Sequence, residues 1–186
     1  APFKRMTYAD CVARYGTDKP DLRFELPLID LSDVAGRSEF SVFKDQIAAS
    51  GMVKGLCIKG GAEISRKGID EYTQFVGRLG VRGLAWMKVQ DGKLTSNIVK
   101  FFNEELQSEL LKLTGAETGD LLLMVADQPN RTHQALDHLR RRIAKDRDLI
   151  DVNRHECLWV TDFPLFHWNE EDNHLESEHH PFTSPH

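Results

Sequence analysis

The sequence is poor in cysteine and lacks the short motifs that mark self-contained active sites. Its three cysteines, Cys11, Cys57 and Cys157, stand at wide spacings that fit neither a disulfide framework nor a CxxC metal site. We therefore expect reduced, buried thiols. The sequence contains no Walker phosphate loop, no GxGxxG run and no GxSxG elbow. We expect that no catalytic residue and no complete catalytic centre lies within this chain.

Long apolar runs are also missing. The longest, DLLLMVAD at Asp120–Asp127, is far too short to cross a bilayer, and the first residues, APFKRMTYAD, lack the apolar middle of a signal peptide. These features predict no membrane partner and a cytoplasmic protein. Because the sequence begins with Ala1 rather than Met, we expect the true start to lie upstream.

The composition is that of a globular protein, with 40% hydrophobic and 28% charged residues among 186. A formal net charge of −5 gives no overall attraction to nucleic acid. One local cluster is basic: Arg140, Arg141 and Arg142 follow each other in the predicted helix RTHQALDHLRRRIAKD. This cluster fits a solvated helix face, and it also fits a contact with RNA phosphates.

Hydrophobic periodicity and turn signals predict an α+β fold. Thr7 and Gly16 bound a short first helix, and the Asp-Gly pair of QDG between two apolar runs predicts a hairpin. From residue 24 to 150 we expect about four helices on one face of a mostly antiparallel sheet. The predicted helices cover 39–50, 65–80, 98–115 and 131–146, and the predicted strands cover 25–34, 52–60, 83–89, 93–99 and 120–127.

The two ends do not share this pattern. Residues 1–23 and 151–186 are each too small to own a core, so we expect both to belong to a second domain that residues 24–150 interrupt. In the second end, ECLWVTDFPLFHW (156–168) is predicted as one long strand. Pro164 within it indicates an edge position or a bulge.

Histidines crowd the end of the sequence, where six of eight lie at 155, 167, 174, 179, 180 and 186. Imidazole binds metals and titrates near neutral pH. However, His179 and His180 are adjacent and would point apart in an extended segment, and no helical HxxxH pair exists, so we predict no metal site. A histidine-cluster metalloprotein is the weakest alternative. Pro181 favours an extended His180, which fits either loop packing or a pair that presents one imidazole to an anionic ligand.

Three segments occur together and in order, and they carry a family resemblance: RMTYADCVARYGTDKPDLRF (Arg5–Phe24), LWVTDFPLFHW (Leu158–Trp168) and HHPFTSP (His179–Pro185). Together they resemble bacterial-type aspartyl-tRNA synthetases. The region between them resembles the GAD insertion domain of that family, which is shared with an archaeal glutamyl-tRNA amidotransferase subunit. The resemblance covers essentially the whole chain. The alternatives are a stand-alone RNA- or protein-binding GAD module and an amidotransferase subunit, but the flanking segments fit the synthetase better.

The resemblance implies a function for the complete enzyme. Such an enzyme activates aspartate with ATP and Mg²⁺ to aspartyl-adenylate and transfers the aspartyl group to tRNA. The family's class II signature motifs, with the dimer helix and two ATP-binding arginines, are not found among these residues. Because members of this family dimerise through that helix, we expect a homodimer for the full-length protein. We expect this chain alone to be a monomer that is inactive and binds no cofactor.

The resemblance also assigns individual residues. His179 and His180 look like the histidine pair that borders the aspartate and adenylate pocket, and they are the expected substrate-binding residues. The segment YGTDKPDLR looks like the family signature at the junction of catalytic domain and insertion. Its charged residues, Asp18, Lys19, Asp21 and Arg23, are expected to act as scaffold rather than in catalysis.

Overall fold

The computed structural model describes residues 3–169 and 172–177. Two short 3-10 helices, Gly61–Glu63 and Val99–Phe101, accompany the regular elements. In chain order these elements are β1 (Lys4–Thr7), α1 (Tyr8–Tyr15), β2 (Ile29–Asp30), α2 (Ser32–Arg37), α3 (Ser41–Ala48), β3 (Met52–Ile58), α4 (Arg66–Gly77), β4 (Ala85–Gln90), β5 (Lys93–Thr95), α5 (Glu104–Thr114), β6 (Leu121–Asp127), α6 (Pro129–Asp146), β7 (Leu158–Thr161), β8 (Phe166–Asn169) and β9 (His174–Ser177).

The main sheet has five strands in the order β2-β3-β6-β4-β5, and every neighbouring pair is antiparallel. Its centre is the long ladder between β3 and β6, which runs from Met52 opposite Asp127 to Ile58 opposite Leu121. Both strands are almost fully buried. The predicted α+β class with a mostly antiparallel sheet is therefore confirmed.

Helices cover both faces of this sheet. Along β6, Leu121, Leu123 and Val125 pack into a cluster with α4 and α6. The alternate residues Leu122 and Met124 pack into a second cluster with α2, α3 and α5. The prediction that all helices lie on one face is therefore wrong. A strand that is buried on both faces has a continuous apolar sequence, and such a sequence does not show how many of its faces are covered by helices.

Local signals in the sequence set most element boundaries. The side chains of Thr7, Ser65 and Asn103 each accept a hydrogen bond from a backbone N–H three residues later, which caps α1, α4 and α5. At the predicted hairpin, Asp91 and Gly92 both have positive φ, 49° and 73°. This is the backbone geometry of a two-residue turn between antiparallel strands, so the hairpin prediction is confirmed.

Two predicted elements are divided in the structure. Only Ile29 and Asp30 of the predicted extended segment 25–34 are strand, because Asp30 accepts a hydrogen bond from the Ser32 N–H and α2 begins there. The predicted helix 98–115 breaks before Asn103, whose side chain caps a new helix, α5. In both cases a short polar side chain captures a nearby backbone N–H and starts a helix.

The two ends of the described chain meet in a separate parallel pair. Strand β1, which the sequence analysis missed, pairs with β7 from Lys4 opposite Leu158 to Thr7 opposite Thr161. Around this pair, Met6, Cys11 and Tyr15 form a small core that is distinct from the two clusters of the main sheet.

The predicted long strand at 156–168 is two strands in two different sheets. Strand β7 pairs with β1, whereas β8 forms a hairpin with β9. Between them Asp162 has a positive φ of 57° and Pro164 has no N–H to donate, so the ladder cannot continue. Pro164 thus interrupts the segment altogether.

No helix among the described residues combines the length and the apolar character that a membrane span needs. The three thiols are free, as expected, but only Cys11 is buried; Cys57 is half-buried and Cys157 is exposed. The expectation of uniformly buried thiols is therefore wrong, because Cys157 lies in the exposed segment before β7.

Candidate functional site

The candidate site is the junction where α1 and the loop after it meet helix α6. Its centre is Arg140, which is fully buried at 0% exposure. The guanidinium donates three hydrogen bonds to two backbone carbonyls: Nε to Leu26 O at 3.1 Å, and Nη1 and Nη2 to Asp21 O at 3.2 Å each. One side chain from α6 therefore holds the loop at two points.

Aromatic rings enclose the same guanidinium. Its central carbon lies 4.3 Å from the ring centroid of Phe24 and 4.9 Å from that of Tyr15. Burial lowers the pKa of Arg140, and nearby Asp137 acts in the opposite direction. Because an arginine titrates far above neutral pH, the group stays charged. The junction thus contains a permanent cation whose described partners are carbonyl oxygens and ring faces.

This position corrects the prediction for the basic cluster. Arg140 faces the interior and cannot reach an RNA phosphate. Arg141 and Arg142 are about half exposed, but Arg141 pairs with Asp137 at 2.6 Å and Arg142 with Asp146 at 2.7 Å, both one helical turn away. The description of a solvated helix face fits these two arginines. An RNA contact by Arg141 and Arg142 stays a prediction.

The signature loop is held by a local ion pair. Arg23 donates from Nε to Asp21 Oδ1 at 2.9 Å and from Nη2 to Asp21 Oδ2 at 2.7 Å. The hydrogen bond from Arg23 is the main cause that lowers the pKa of Asp21. The backbone carbonyl of Asp21 also accepts a hydrogen bond from Arg140. The Asp21–Arg23 ion pair therefore lies in the part of the loop that Arg140 holds against α6. Such contacts support the predicted scaffold role of Asp21 and Arg23.

Gly16 is the residue of the junction that sequence reasoning undervalued. It ends α1 with a φ of 76°, and a Cβ atom built on it would lie 2.3 Å from the backbone oxygen of His133. No side chain fits in that space. The sequence marked Gly16 only as a helix stop, but the structure shows that its missing side chain also lets α1 approach α6.

A groove of about 530 Å³ opens beside this contact, between α1, β3 and α6. Its polar lining includes Lys54, whose Nζ donates to Ala13 O at 2.7 Å, together with Asp30 and His133. Burial lowers the pKa of Lys54 and lowers that of His133 to about 4. The imidazole is therefore neutral at pH 7, and its buried Nε2 has no hydrogen-bond partner among the described residues.

Three of the six histidines near the end of the sequence lie outside the part of the chain that the structure describes. His179, His180 and His186 fall outside the described residues. Nearby, Asp172, His174 and Glu176 bring potential ligand atoms within 4.8 Å of one another on the exposed β8–β9 hairpin. Asn169 Nδ2 already donates to both carboxylates, at 3.2 Å and 2.9 Å. The cluster is therefore explained by its own hydrogen bonds and does not require a metal.

Comparison with known proteins defines the class of this fold. The family model of the GAD domain matches residues 43–136, slightly more than half of the chain. The matched region begins in α3 and ends in α6, so it spans the main sheet apart from the β2 edge. The chain therefore belongs to the GAD domain family.

The relatives extend this similarity to both ends of the chain. An aspartate–tRNA(Asp/Asn) ligase of Protochlamydia amoebophila is 60% identical over 100% of this chain. Ligases of the same name from Chlamydia pneumoniae and Persephonella marina are 51% and 48% identical over 99% of it. In each case the chain spans 31% of the relative's length. The similarity thus includes the flanking segments, which the GAD model does not cover.

Among solved structures, a hypothetical protein of Pyrococcus horikoshii aligns over 55% of this chain and 61% of its own, with 14% identity and a TM-score of 0.36.

Proposed function

We propose that this chain is the GAD domain and adjoining catalytic-domain segments of an aspartate–tRNA ligase. The single observation that carries the proposal is the 60% identity over the full chain, flanks included, to a protein of that name. In this proposal the full gene product, in the cytoplasm, forms aspartyl-adenylate from aspartate and ATP and then aminoacylates tRNA.

The arrangement of the flanks supports an interrupted second domain. Strands β1 and β7 come from opposite ends of the chain yet pair directly, which supports a division at about residues 23 and 150. Several large apolar side chains of the flanks are exposed, as expected for strands that further segments of a catalytic domain would cover. They are Phe3 at 55%, Trp159, Leu165 and Phe166 at 59% each, and Leu175 at 62%.

The proposed chemistry assigns the substrate contact to His179 and His180. Imidazole N–H groups at the pocket border would donate to the aspartate carboxylate, and a charged imidazole would strengthen that hydrogen bond. The arginines that clamp ATP and stabilise charge at its α-phosphate belong, by the resemblance, to motifs not found among these residues. The 186-residue chain alone is therefore proposed to be inactive.

Magnesium is not assigned to residues of this chain. Mg²⁺ prefers oxygen ligands in near-ideal octahedral geometry. The group of Asp172, His174 and Glu176 contains an imidazole, and its carboxylates already accept hydrogen bonds from Asn169. This group does not fit the ion, so no step of the reaction is derived through it.

Aspartate-dependent exchange between ATP and pyrophosphate tests the proposal. The full gene product should catalyse it, and the 186-residue chain should not. In the full product, His179→Gln and His180→Gln should raise KM for aspartate, whereas His155→Gln, outside the predicted pocket, should leave it unchanged. Exchange by the short chain, or exchange by the full product that ignores aspartate, would contradict the proposal. Light scattering should give a homodimer for the full product and a 21.2 kDa monomer for this chain.

A further inference from the structure

A second cavity, of about 520 Å³, lies between residues 23–29, the end of β3 and residues 147–154. It forms because strand β2 pairs with β3 only at Gly55 and Lys54. Just before β2, Leu26 has a φ of 114° and Pro27 has no N–H, so residues 23–28 turn away from β3 instead of extending the ladder. The residues that leave the GAD domain, 147–154, close the other side.

The floor of this cavity is apolar and rigid. Phe24, Leu26 and Ile58 are at most 7% exposed, and Leu149, at 44%, forms part of the wall. The conformation of Leu26 lies outside the regions that non-glycine residues favour, and its carbonyl is held by the hydrogen bond from Arg140 Nε. Backbone outliers of this kind that the surrounding structure maintains often occur at ligand sites.

The rim of the cavity is cationic. Arg23, Lys59, Arg147 and Arg154 line it together with one carboxylate, Glu25, which gives a formal charge of +3. Each of the four cations has an acidic partner, but none of those partners lines the cavity. The partners are Asp21, Asp120, Glu63 and Glu156. The ion pairs therefore place their positive members toward the cavity.

The ion pair of Lys59 shows how firmly this arrangement is held. Burial alone would raise the pKa of Asp120, but hydrogen bonds from Lys59 Nζ at 2.8 Å, the Glu117 N–H at 2.9 Å and the Gly60 N–H at 3.0 Å lower it. Asp120 is thus a buried carboxylate that holds the ammonium of Lys59, and the same Nζ donates to Gly115 O at 2.6 Å, while the lysine side chain remains 62% exposed. Because an ammonium has three N–H groups, one remains for an anion in the cavity.

We propose that this cavity binds a small organic anion with an apolar body, in which the body rests on the Phe24–Leu26–Ile58 floor and the anionic group meets the Arg23–Lys59–Arg147–Arg154 rim. A carboxylate and a phosphate ester share this chemistry. Because the cavity lies between the two connections of the GAD domain, residues 23–29 and 147–154, a bound anion would join them. The inference does not depend on the proposed ligase activity.

Anilinonaphthalene sulfonate is a suitable probe because it combines an aromatic body with one negative charge. We expect it to bind at one site per chain, with fluorescence enhancement and with amide NMR shifts at residues 23–29, 57–59 and 147–154. Its uncharged analogue, phenyl-naphthylamine, should bind at least about tenfold more weakly, since it cannot form the charge-assisted hydrogen bonds. Displacement by phenylacetate or by phenyl phosphate then distinguishes a carboxylate from a phosphate ligand.

Two variants and one control test the location. Arg154→Gln should weaken binding about tenfold, the effect expected when one charge-assisted hydrogen bond is lost. Leu149→Ser should also weaken it by removing part of the apolar wall. Arg82→Gln changes the charge equally at an exposed position that does not line the cavity and should have no effect. Thermal unfolding of each variant confirms that it is folded.

Three results would overturn the proposal. One is equal affinity of Arg154→Gln and Arg82→Gln for the probe. Another is binding of several probe molecules with NMR shifts centred on residues 158–177, where the exposed apolar side chains lie. The third is a probe that neither phenylacetate nor phenyl phosphate displaces.

Discussion

Replacement of Arg140 by alanine tests the reasoning about the junction most directly. The substitution removes three hydrogen bonds to two backbone carbonyl oxygens, Leu26 O, which is buried, and Asp21 O, which is partly buried. Leaving a buried carbonyl unsatisfied costs about 1–3 kcal/mol. Loss of the two ring contacts, with Phe24 and Tyr15, costs roughly another 1–2 kcal/mol each where the cation is desolvated.

One effect of the Arg140→Ala substitution opposes these losses of stability. The folded protein no longer has to bury a charge, and that relief is worth several kcal/mol. The expected net loss for Arg140→Ala is therefore about 3 kcal/mol, a large part of the roughly 5–15 kcal/mol by which domains are stable. Arg140→Lys should lose about 2 kcal/mol, because one ammonium cannot reproduce the planar fork between the two carbonyls and the two rings.

Urea denaturation followed by far-UV circular dichroism measures these changes. Arg142→Ala is the matched control two residues further along α6. Its ion pair with Asp146 lies at the surface, with side chains 47% and 32% exposed, so its loss should lower the free energy of unfolding far less than loss of Arg140 does. The slope of the free energy against urea should be unchanged in all variants. A loss below about 1 kcal/mol for Arg140→Ala, or equal losses for Arg140→Ala and Arg142→Ala, would refute the account of the junction.

Three further measurements concern the same region. Gly16→Ala should destabilise the protein by about 1–2 kcal/mol more than Gly92→Ala does. Both glycines have positive φ, but of the two only Gly16 leaves no room for a Cβ atom, because the backbone oxygen of His133 is so close. Equal losses of unfolding free energy in the two variants would contradict this. His133 has a folded pKa of about 4 against an ordinary value of about 6.5, so the unfolded state takes up the proton first. Its contribution to stability should be complete above about pH 6.5 and be lost as the pH falls towards 4; His133→Gln should remove this part of the pH dependence, whereas His155→Gln should not. If Arg141 and Arg142 contact RNA, their double replacement by glutamine should weaken tRNA binding by the full gene product and reduce its salt dependence; an unchanged titration excludes that contact.

The residues proposed to bind aspartate were found by resemblance alone. Nothing in spacing or periodicity separated His179 and His180 from loop histidines, because a substrate pocket is assembled from segments far apart in the chain. By contrast, the two cavities and the junction also depend on residues that belong to no motif. Lys59, Arg147 and Arg154 are ordinary surface cations in the sequence, and only their convergence beside one apolar floor distinguishes them.

The cap and turn signals at Thr7, Ser65 and Asp91–Gly92 were readable from the sequence because each acts within three or four residues, through hydrogen bonds and backbone angles that local chemistry dictates. The periodicity of α4 and α6 and the apolar run of β6 were readable for the same reason. Local sequence signals therefore predicted most helices and strands of the GAD domain, but not helix α2 or the break before α5.

Tertiary structure decided which of these segments meet. The parallel pairing of β1 with β7 and the helices on the second face of the sheet both depend on distant partners. Arg140 is the clearest case, because it directly precedes two solvated arginines in the sequence, yet it lies buried against Asp21, 119 residues away. A helical face is set by local geometry, but the burial of one charge depends on whether remote carbonyls and rings arrive to surround it.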